Sequence, residues 1–324
     1  RHGEACAVHH ATDIAVHRDV VQVVLAGQNF GLVFLADVAA GVADLPAILT
    51  LPSPFFPSDR IGLLEPEDCD TGALLRRLTG GEYDKPFLID DGTTRTLHFS
   101  LALIQSTMSL KDPFALALDY TQVMMSFLLF LPRPRHILML GLGGGSLAKF
   151  CYRQVGSAQI TVVEIDPHVI AFRDEFDVPP DDARLRVVEG DGAAFVAACE
   201  DKPDVVMMDA FDRDGLSGSV SSVGFYWSVH NALSGRGIMV ANLAGDKADR
   251  GEHMAMIGEA FDERVLSLSL PDGNDIVLAF RAPGFAPRWR EIANQAKALR
   301  ARTGLDFPKY AARLERSQRL NYVD

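Results

Sequence analysis

Apolar positions along this chain fall into short runs, separated by stretches in which they recur at helical intervals. Residues 137–140 (ILML), 160–165 (ITVVEI), 185–189, 204–208 and 238–242 lack the alternation of a half-exposed strand, so each reads as a strand covered on both faces. Residues 264–270 and 275–281, separated by Pro271-Asp272-Gly273-Asn274, predict a terminal antiparallel hairpin. Helix-length segments lie between the runs. The pattern therefore predicts an α/β fold with a Rossmann-like, methyltransferase-type sheet, mostly parallel and ending in that hairpin.

Upstream the pattern changes. Helical periodicity over 71–78 stops at Gly80-Gly81, and 86–90 with 95–99 flank Asp91-Gly92-Thr93-Thr94 as a hairpin that 103–108 extends. Residues 115–130 have apolar positions at helical spacing, closed by Pro132 and Pro134. The expected organisation is an extension over 1–60, a small β-rich unit with a helix over 61–131, the sheet over 132–282, and a charged helical tail over 283–324. That tail, with Trp289 and Arg290 near its start, reads as an oligomer contact or a solvated segment.

Residues 1–60 show no coherent site. His2, His9, His10, His17 and Cys6 match no metal-site spacing, and a loosely ordered tail is expected. Residues 20–36 carry no charge, but Gln22, Gln28 and Asn29 interrupt them, short of the ~20 apolar residues that span a membrane. No basic segment precedes a compact apolar core, so no signal peptide is expected. Pro52, Pro54 and Pro57 around Phe55 and Phe56 predict a linker.

Composition narrows the partners. With 324 residues, 48% hydrophobic, the chain can bury a large core. Its net charge of −12 argues against nucleic acid and suits a cationic substrate. Cys6, Cys69, Cys151 and Cys199 form no CxxC pair, which predicts neither a zinc site nor a disulfide framework but a reducing, cytoplasmic setting. No metal, membrane or nucleic-acid partner is expected. A homodimer or higher homo-oligomer is.

The candidate chemistry gathers where strands end. After 137–140 come Gly141, Gly143, Gly144 and Gly145, then Ser146 and a helix-length segment. Residues without Cβ let a ligand approach the backbone, and the helix N-terminus offers unpaired N–H groups. The next run carries Glu164, 23 residues after Gly141, the spacing at which a nucleotide-binding βαβ unit places a ribose-binding acid. Lys149 follows Ser146 in the wrong order for a phosphate cradle, and Leu147 stands where GxGxxG has its third glycine. A nucleoside without pyrophosphate fits better than NAD or ATP. Later runs end in Gly190-Asp191-Gly192 and in Asp209-Ala210-Phe211-Asp212. Carboxyl ends of strands border the ligand crevice of an open α/β sheet, so Glu164, Asp191, Asp209 and Asp212 are expected around one site, although any one could instead cap a helix.

Taken as an ordered set, the glycine loop 141–146, VVEID at 162–166, GDG at 190–192, DAFD at 209–212 and GFY at 224–226 resemble the polyamine aminopropyltransferases, the spermidine synthase family. The resemblance spans about residues 61–281, and the GLGGGS loop is similar to that of bacterial spermidine synthase-like proteins. It implies that the co-substrate is decarboxylated S-adenosylmethionine, with no prosthetic group, and that the partner is a small cationic amine. It implies that Glu164 holds the ribose and Asp191 the adenine amino group, supported by Gly141, Gly143, Gly144, Gly145, Asp166 and Gly192. Gln105 would touch the sugar or the amine. Asp209 would bind the attacking amine and help deprotonate it, with Asp212 and Tyr120 positioning it. One departure is plain: the family loop commonly reads GGGDGG, its Asp binding the donor's ammonium, and here that carboxylate is absent. Ordinary S-adenosylmethionine is thus a rival donor.

The acids suit amine chemistry independently of the resemblance. An alkylammonium with a pKa near 10.4 is free amine about once in 2,500 at pH 7, a cost of about 4.6 kcal/mol before it can attack carbon. Carboxylates attract and orient the cation, and one of them or a bound water can take its proton. The sulfonium already is a good leaving group. A methyltransferase on the same scaffold is the main alternative, and a non-catalytic nucleoside-binding protein is a third.

Overall fold

The computed structural model describes residues 47–212, 215–216 and 218–321, the side chains of 211–217 and 320–321 excepted. Before residue 47 it gives only two short antiparallel ladders, Val16–His17 with Val20–Val21 and Val24–Leu25 with Gln28–Asn29. His2, His9, His10, Cys6 and most of the expected extension lie outside the described residues. Residues 1–45 and 46–324 form separate compact units.

The second unit opens with five antiparallel strands in sequential order: β1 (Ile48–Pro52), β2 (Arg60–Leu64), β3 (Phe87–Asp90), β4 (Thr94–Ser100) and β5 (Leu103–Ser109). Strand β1 lies in the stretch expected to be extension and linker. Its register with β2, Ile48 opposite Leu64 and Pro52 opposite Arg60, makes the proline-rich segment a hairpin connection. Pro52 is tolerated because it ends an edge strand. Helix α1 (Thr71–Thr79), capped by the Asp70 side chain on Ala73 N–H at 3.0 Å, lays Leu74 and Leu78 on this sheet with Ile61, Leu63 and Phe87. At the β3–β4 turn the Asp91 carboxylate accepts bonds from Thr93 and Thr94, which hold its pKa well below the usual range.

A chain beginning at Asp59 would lose β1 and leave the edge of β2 unpaired, whereas one beginning at Pro46 keeps the sheet whole. Urea unfolding should show the Asp59 truncation weaker by on the order of 2 kcal/mol and the Pro46 truncation unchanged in catalysis. Equal stability of the two would contradict a structural role for β1.

The large sheet comprises β6 (His136–Leu140), β7 (Gln159–Glu164), β8 (Leu185–Glu189), β9 (Val205–Met208), β10 (Ile238–Leu243), β11 (Val265–Ser269) and β12 (Asp275–Phe280). Their order is β8-β7-β6-β9-β10-β12-β11, the first five parallel and β12 antiparallel to both neighbours. The unbroken apolar runs have a direct cause: alternate residues of β6 enter two cores, Ile137 and Met139 on one face, Leu138 and Leu140 on the other.

The segment expected as a helix over 115–130 is α2 (Asp119–Met124) followed by a 3-10 turn, Met125–Leu129. Met125, Phe127 and Leu128 are all fully buried, and the tighter winding fits a turn enclosed on every side. Helices α3 (Ser146–Gln154), α4 (Pro167–Ala171), α5 (Gly192–Ala197), α6 (Val223–Ala232) and α7 (Lys247–Ala260) connect the strands. The C-terminal helices, α8 (Trp289–Thr303) and α9 (Phe307–Asn321), are not a solvated tail: Leu299, Phe307 and Leu314 are buried in the main core, and Trp289 packs edge-on to Phe130. No helix among the described residues is long and apolar enough to cross a membrane.

Candidate active site

The strand order reverses between β6 and β9, and a cavity of about 750 Å³ opens there, at the carboxyl ends of the parallel strands. The two strands meet closely. Gly141 has φ +95°, and a Cβ at that position would lie 2.3 Å from the carbonyl oxygen of Asp209. Only glycine lets the loop leave β6 this way. Lys149, one turn into α3, is fully buried and donates to the carbonyl of Phe176 at 2.5 Å, and burial pushes its pKa down to about 8. Phe176 in turn lies against Gly144, and Val178 fills the space beside Gly145. These two glycines shape the loop from below, while Gly141 and Gly143 line the cavity.

Glu164, at the end of β7, is 8% exposed and faces this loop. Its Oε2 accepts from Leu142 N–H at 2.8 Å and its Oε1 from Asp166 N–H at 2.9 Å. Burial raises its pKa, and hydrogen bonds from the Asp166, Leu142 and Ile165 amides oppose that shift. Asp166, expected from the sequence among the nucleoside-binding residues, instead caps α4: its side chain accepts from His168 N–H and pairs with the His168 ring, and it does not line the cavity. Asp191 does both, capping α5 through Ala194 N–H at 2.7 Å and lining the cavity with Gly190 and Gly192. Ile165, 58% exposed between the two acids, offers an apolar face at the same mouth. Its exposure directly after a buried strand residue marks it, a signal invisible in an apolar run.

Across the switch point Asp209 directly follows β9. Tyr120 Oη, from α2, donates to its Oδ2 at 3.2 Å, and Asn242 Nδ2, from β10, donates to its Oδ1 at 2.9 Å. Surrounding protein raises the Asp209 pKa despite both donors, and burial together with the Asp209 charge raises that of Tyr120. Asn242 is 3% exposed and its Oδ1 has no partner among the described residues. An acceptor left unsatisfied beside a carboxylate is a place for a donor-rich cation. Sequence alone marks Asn242 only as a strand end. Gln105 and Ser106, on β5, close the cavity from the small sheet. Asp212 belongs to a short ladder, Phe211–Asp212 with Gly215–Leu216, and its side chain lies outside the described residues. The remaining polar lining includes Asp272 and Asn274, from the turn between β11 and β12.

A family profile for the spermine/spermidine synthase domain matches residues 118–248, which include the glycine loop, Glu164, Asp191 and Asp209. The polyamine aminopropyltransferase of Chromobacterium violaceum is 35% identical over 231 residues, covering 70% of this chain and 88% of that protein. The chain belongs to the spermine/spermidine synthase family. It is a transferase enzyme. The fold agrees: a probable spermidine synthase from Corynebacterium glutamicum superposes with a TM-score of 0.57 at 20% identity, covering 72% of this chain and 92% of that one. Human methyltransferase-like protein 13, in complex with SAH, gives 0.53 at 21%, covering 58% and 93%. The spermine/spermidine synthase sheet and the methyltransferase sheet are thus one architecture, and the fold alone does not name the donor.

Proposed function

We propose that this protein is an aminopropyltransferase that moves the aminopropyl group of decarboxylated S-adenosylmethionine to a di- or polyamine. The observation that carries the reading is the charge of the cavity. Glu164, Asp191, Asp209 and Asp272 line it, and no Lys, Arg or His does among the described residues. Both substrates of an aminopropyl transfer are cations; the carboxylate of ordinary S-adenosylmethionine would find no basic side chain there among the described residues. The name of the Chromobacterium relative supports the same chemistry.

In this reading Glu164 accepts hydrogen bonds from the ribose hydroxyls, Asp191 from the adenine amino group, and Ile165 covers the base. Gly141 and Gly143 bring backbone to the nucleoside, and Gln105 meets it from the small sheet. The acceptor amine sits at Asp209, with Asn242 Oδ1 taking a second N–H and Tyr120 holding the carboxylate in place. Its nitrogen attacks the methylene next to the sulfonium as the C–S bond breaks, releasing methylthioadenosine. The displaced proton passes to Asp209 or to a water held by it. Proximity and orientation supply much of the rate. Gly144 occupies the loop position where GGGDGG carries its Asp, and a Cβ there would come within 2.8 Å of both Ser106 and Phe176. The donor's ammonium must therefore be met by carboxylates elsewhere in the cavity. The missing loop carboxylate is also what favours the second reading, methyl transfer from ordinary S-adenosylmethionine.

Calorimetry with the two donors and methylthioadenosine tests this directly. The decarboxylated donor should bind more tightly than the ordinary one; the reverse order would favour the methyltransferase. Glu164→Ala should weaken methylthioadenosine by about 1–3 kcal/mol through loss of charged hydrogen bonds. Unchanged affinity would remove Glu164 from the nucleoside site.

A further inference from the structure

We propose that the amino-terminal edge of the large sheet carries a second site, a cleft built from Arg133, Arg135 and Arg236 that binds a small oligophosphate anion. A cavity of about 500 Å³ lies there, lined by these three residues with Asp204, Ser234 and Gly235. Chain order fixes its position. Arg135 immediately precedes β6, Asp204 immediately precedes β9, and the turn 234–237 leads into β10. These strands run parallel, so the cavity opens at the end of the sheet opposite Gly141, Asp209 and Asn242. Among the described residues none lines both cavities.

The charge in this cavity is unbalanced. The Asp204 carboxylate accepts from the Arg135 amide at 2.8 Å and from the Ser234 hydroxyl at 2.7 Å, with the Arg135 guanidinium 3.7 Å away. Burial would raise its pKa, but these contacts hold it below the usual carboxylate range, so it is ionised and already committed. The guanidiniums of Arg133 and Arg236 make no ion pair or hydrogen bond among the described residues. Three cations against one carboxylate leave an excess of positive charge on a chain whose net charge is −12. Beyond the lining, Lys202 donates to the Asn231 carbonyl at 3.1 Å and Asp201 acts on His136, so that opposite pair leaves the excess in place. A guanidinium keeps its proton at any physiological pH, and the repulsion is therefore relieved by a bound anion and not by titration.

Two further features suit phosphate oxygens. The turn 234–237, closed by the Gly237 N–H on the Ser234 carbonyl at 2.8 Å, leaves the Gly235 and Arg236 amides without an acceptor among the described residues. Backbone amides beside guanidinium forks are the donor set an oligophosphate takes. Pro132 and Pro134 flank Arg133 and restrict its backbone, which lowers the entropy lost on binding. A nucleic acid fits less well, because a long polyanion would run from this patch into the field of an acidic chain.

Calorimetry with sodium tripolyphosphate, a probe that carries no nucleoside, tests the site, and ATP and a single-stranded oligonucleotide are titrated beside it. The expected result is saturable one-to-one binding of tripolyphosphate by wild type, weakened about tenfold or more in the Arg133→Gln, Arg236→Gln double variant. The urea midpoint of that variant should match wild type, because both side chains are exposed and unpaired among the described residues. Only binding lost in the variant is assigned to this cleft. By that criterion, ATP tighter than tripolyphosphate names a nucleotide as the source of the phosphates, and equal affinities name the phosphate chain alone. No saturable binding of tripolyphosphate by wild type, or equal binding by wild type and variant, overturns the site. An oligonucleotide that binds more tightly than both, and loses that affinity in the variant, overturns the small-anion proposal in favour of a nucleic-acid surface.

Discussion

Asp209→Asn is expected to slow aminopropyl transfer by about 10²–10⁴-fold while methylthioadenosine binds nearly as before. The substitution keeps size and shape but removes both the proton acceptor and the charge that holds the attacking amine. It leaves Glu164, Asp191 and the glycine loop untouched. A second consequence separates function from stability. Burial holds the Asp209 carboxyl above the usual carboxylate range. The folded chain therefore binds this proton more tightly than the unfolded chain. The group's contribution to stability is fully present below the unfolded-state pKa and is lost as pH rises through the raised folded-state value. The Asn variant escapes that loss. In chemical denaturation it should be at least as stable as wild type at neutral pH, with the advantage vanishing in acid. Single-turnover transfer at the wild-type rate would show that Asp209 only supports the turn after β9.

Gly141→Ala is expected to be among the most damaging single changes in the sheet, lowering stability by about 2–4 kcal/mol. Any side chain there has both a left-handed backbone, φ +95°, and a contact of 2.3 Å with the Asp209 carbonyl. The obstacle is backbone at the end of a buried strand and cannot rotate away, so β6 and β9 must part at the switch point. Asp209 hangs from that peptide, and turnover should fall along with nucleoside affinity. Gly143→Ala is the control: φ there is +52°, but nothing lies closer than 3.8 Å. Equal urea midpoints for the two variants would refute the close-approach explanation.

The large sheet is legible in the sequence because its strands are covered on both faces, which forces unbroken apolar runs such as 137–140 and 238–242. Strand β1 is hidden: Leu49-Thr50-Leu51-Pro52 is short, and the neighbouring prolines carry a stronger linker signal than its weak alternation. The packing of α8 and α9 is hidden by their charged faces, since a buried stripe of Leu299 or Leu314 looks the same on a solvated helix until its partner is known. In the site, Glu164, Asp191 and Asp209 can be read because each closes a recognisable strand. Asp166 cannot be separated from them, as a capping acid and a ligand-facing acid occupy identical positions in sequence. Asn242 and Asp272 escape notice for opposite reasons. One is a lone polar residue near the end of an apolar strand, and the other sits in a turn whose Pro, Gly and Asn already explain it. Both acquire meaning only when the hairpin folds back over the end of β10.

The carboxylate-lined cavity is expected to transfer an aminopropyl group and not a methyl group. Incubating the enzyme with a linear diamine and either donor, and identifying the amine product by mass spectrometry, tests it most directly. The expected product is an amine extended by one aminopropyl unit, with methylthioadenosine released, from the decarboxylated donor alone. A methylated amine with S-adenosylhomocysteine from ordinary S-adenosylmethionine, and no aminopropyl product from either donor, would contradict it.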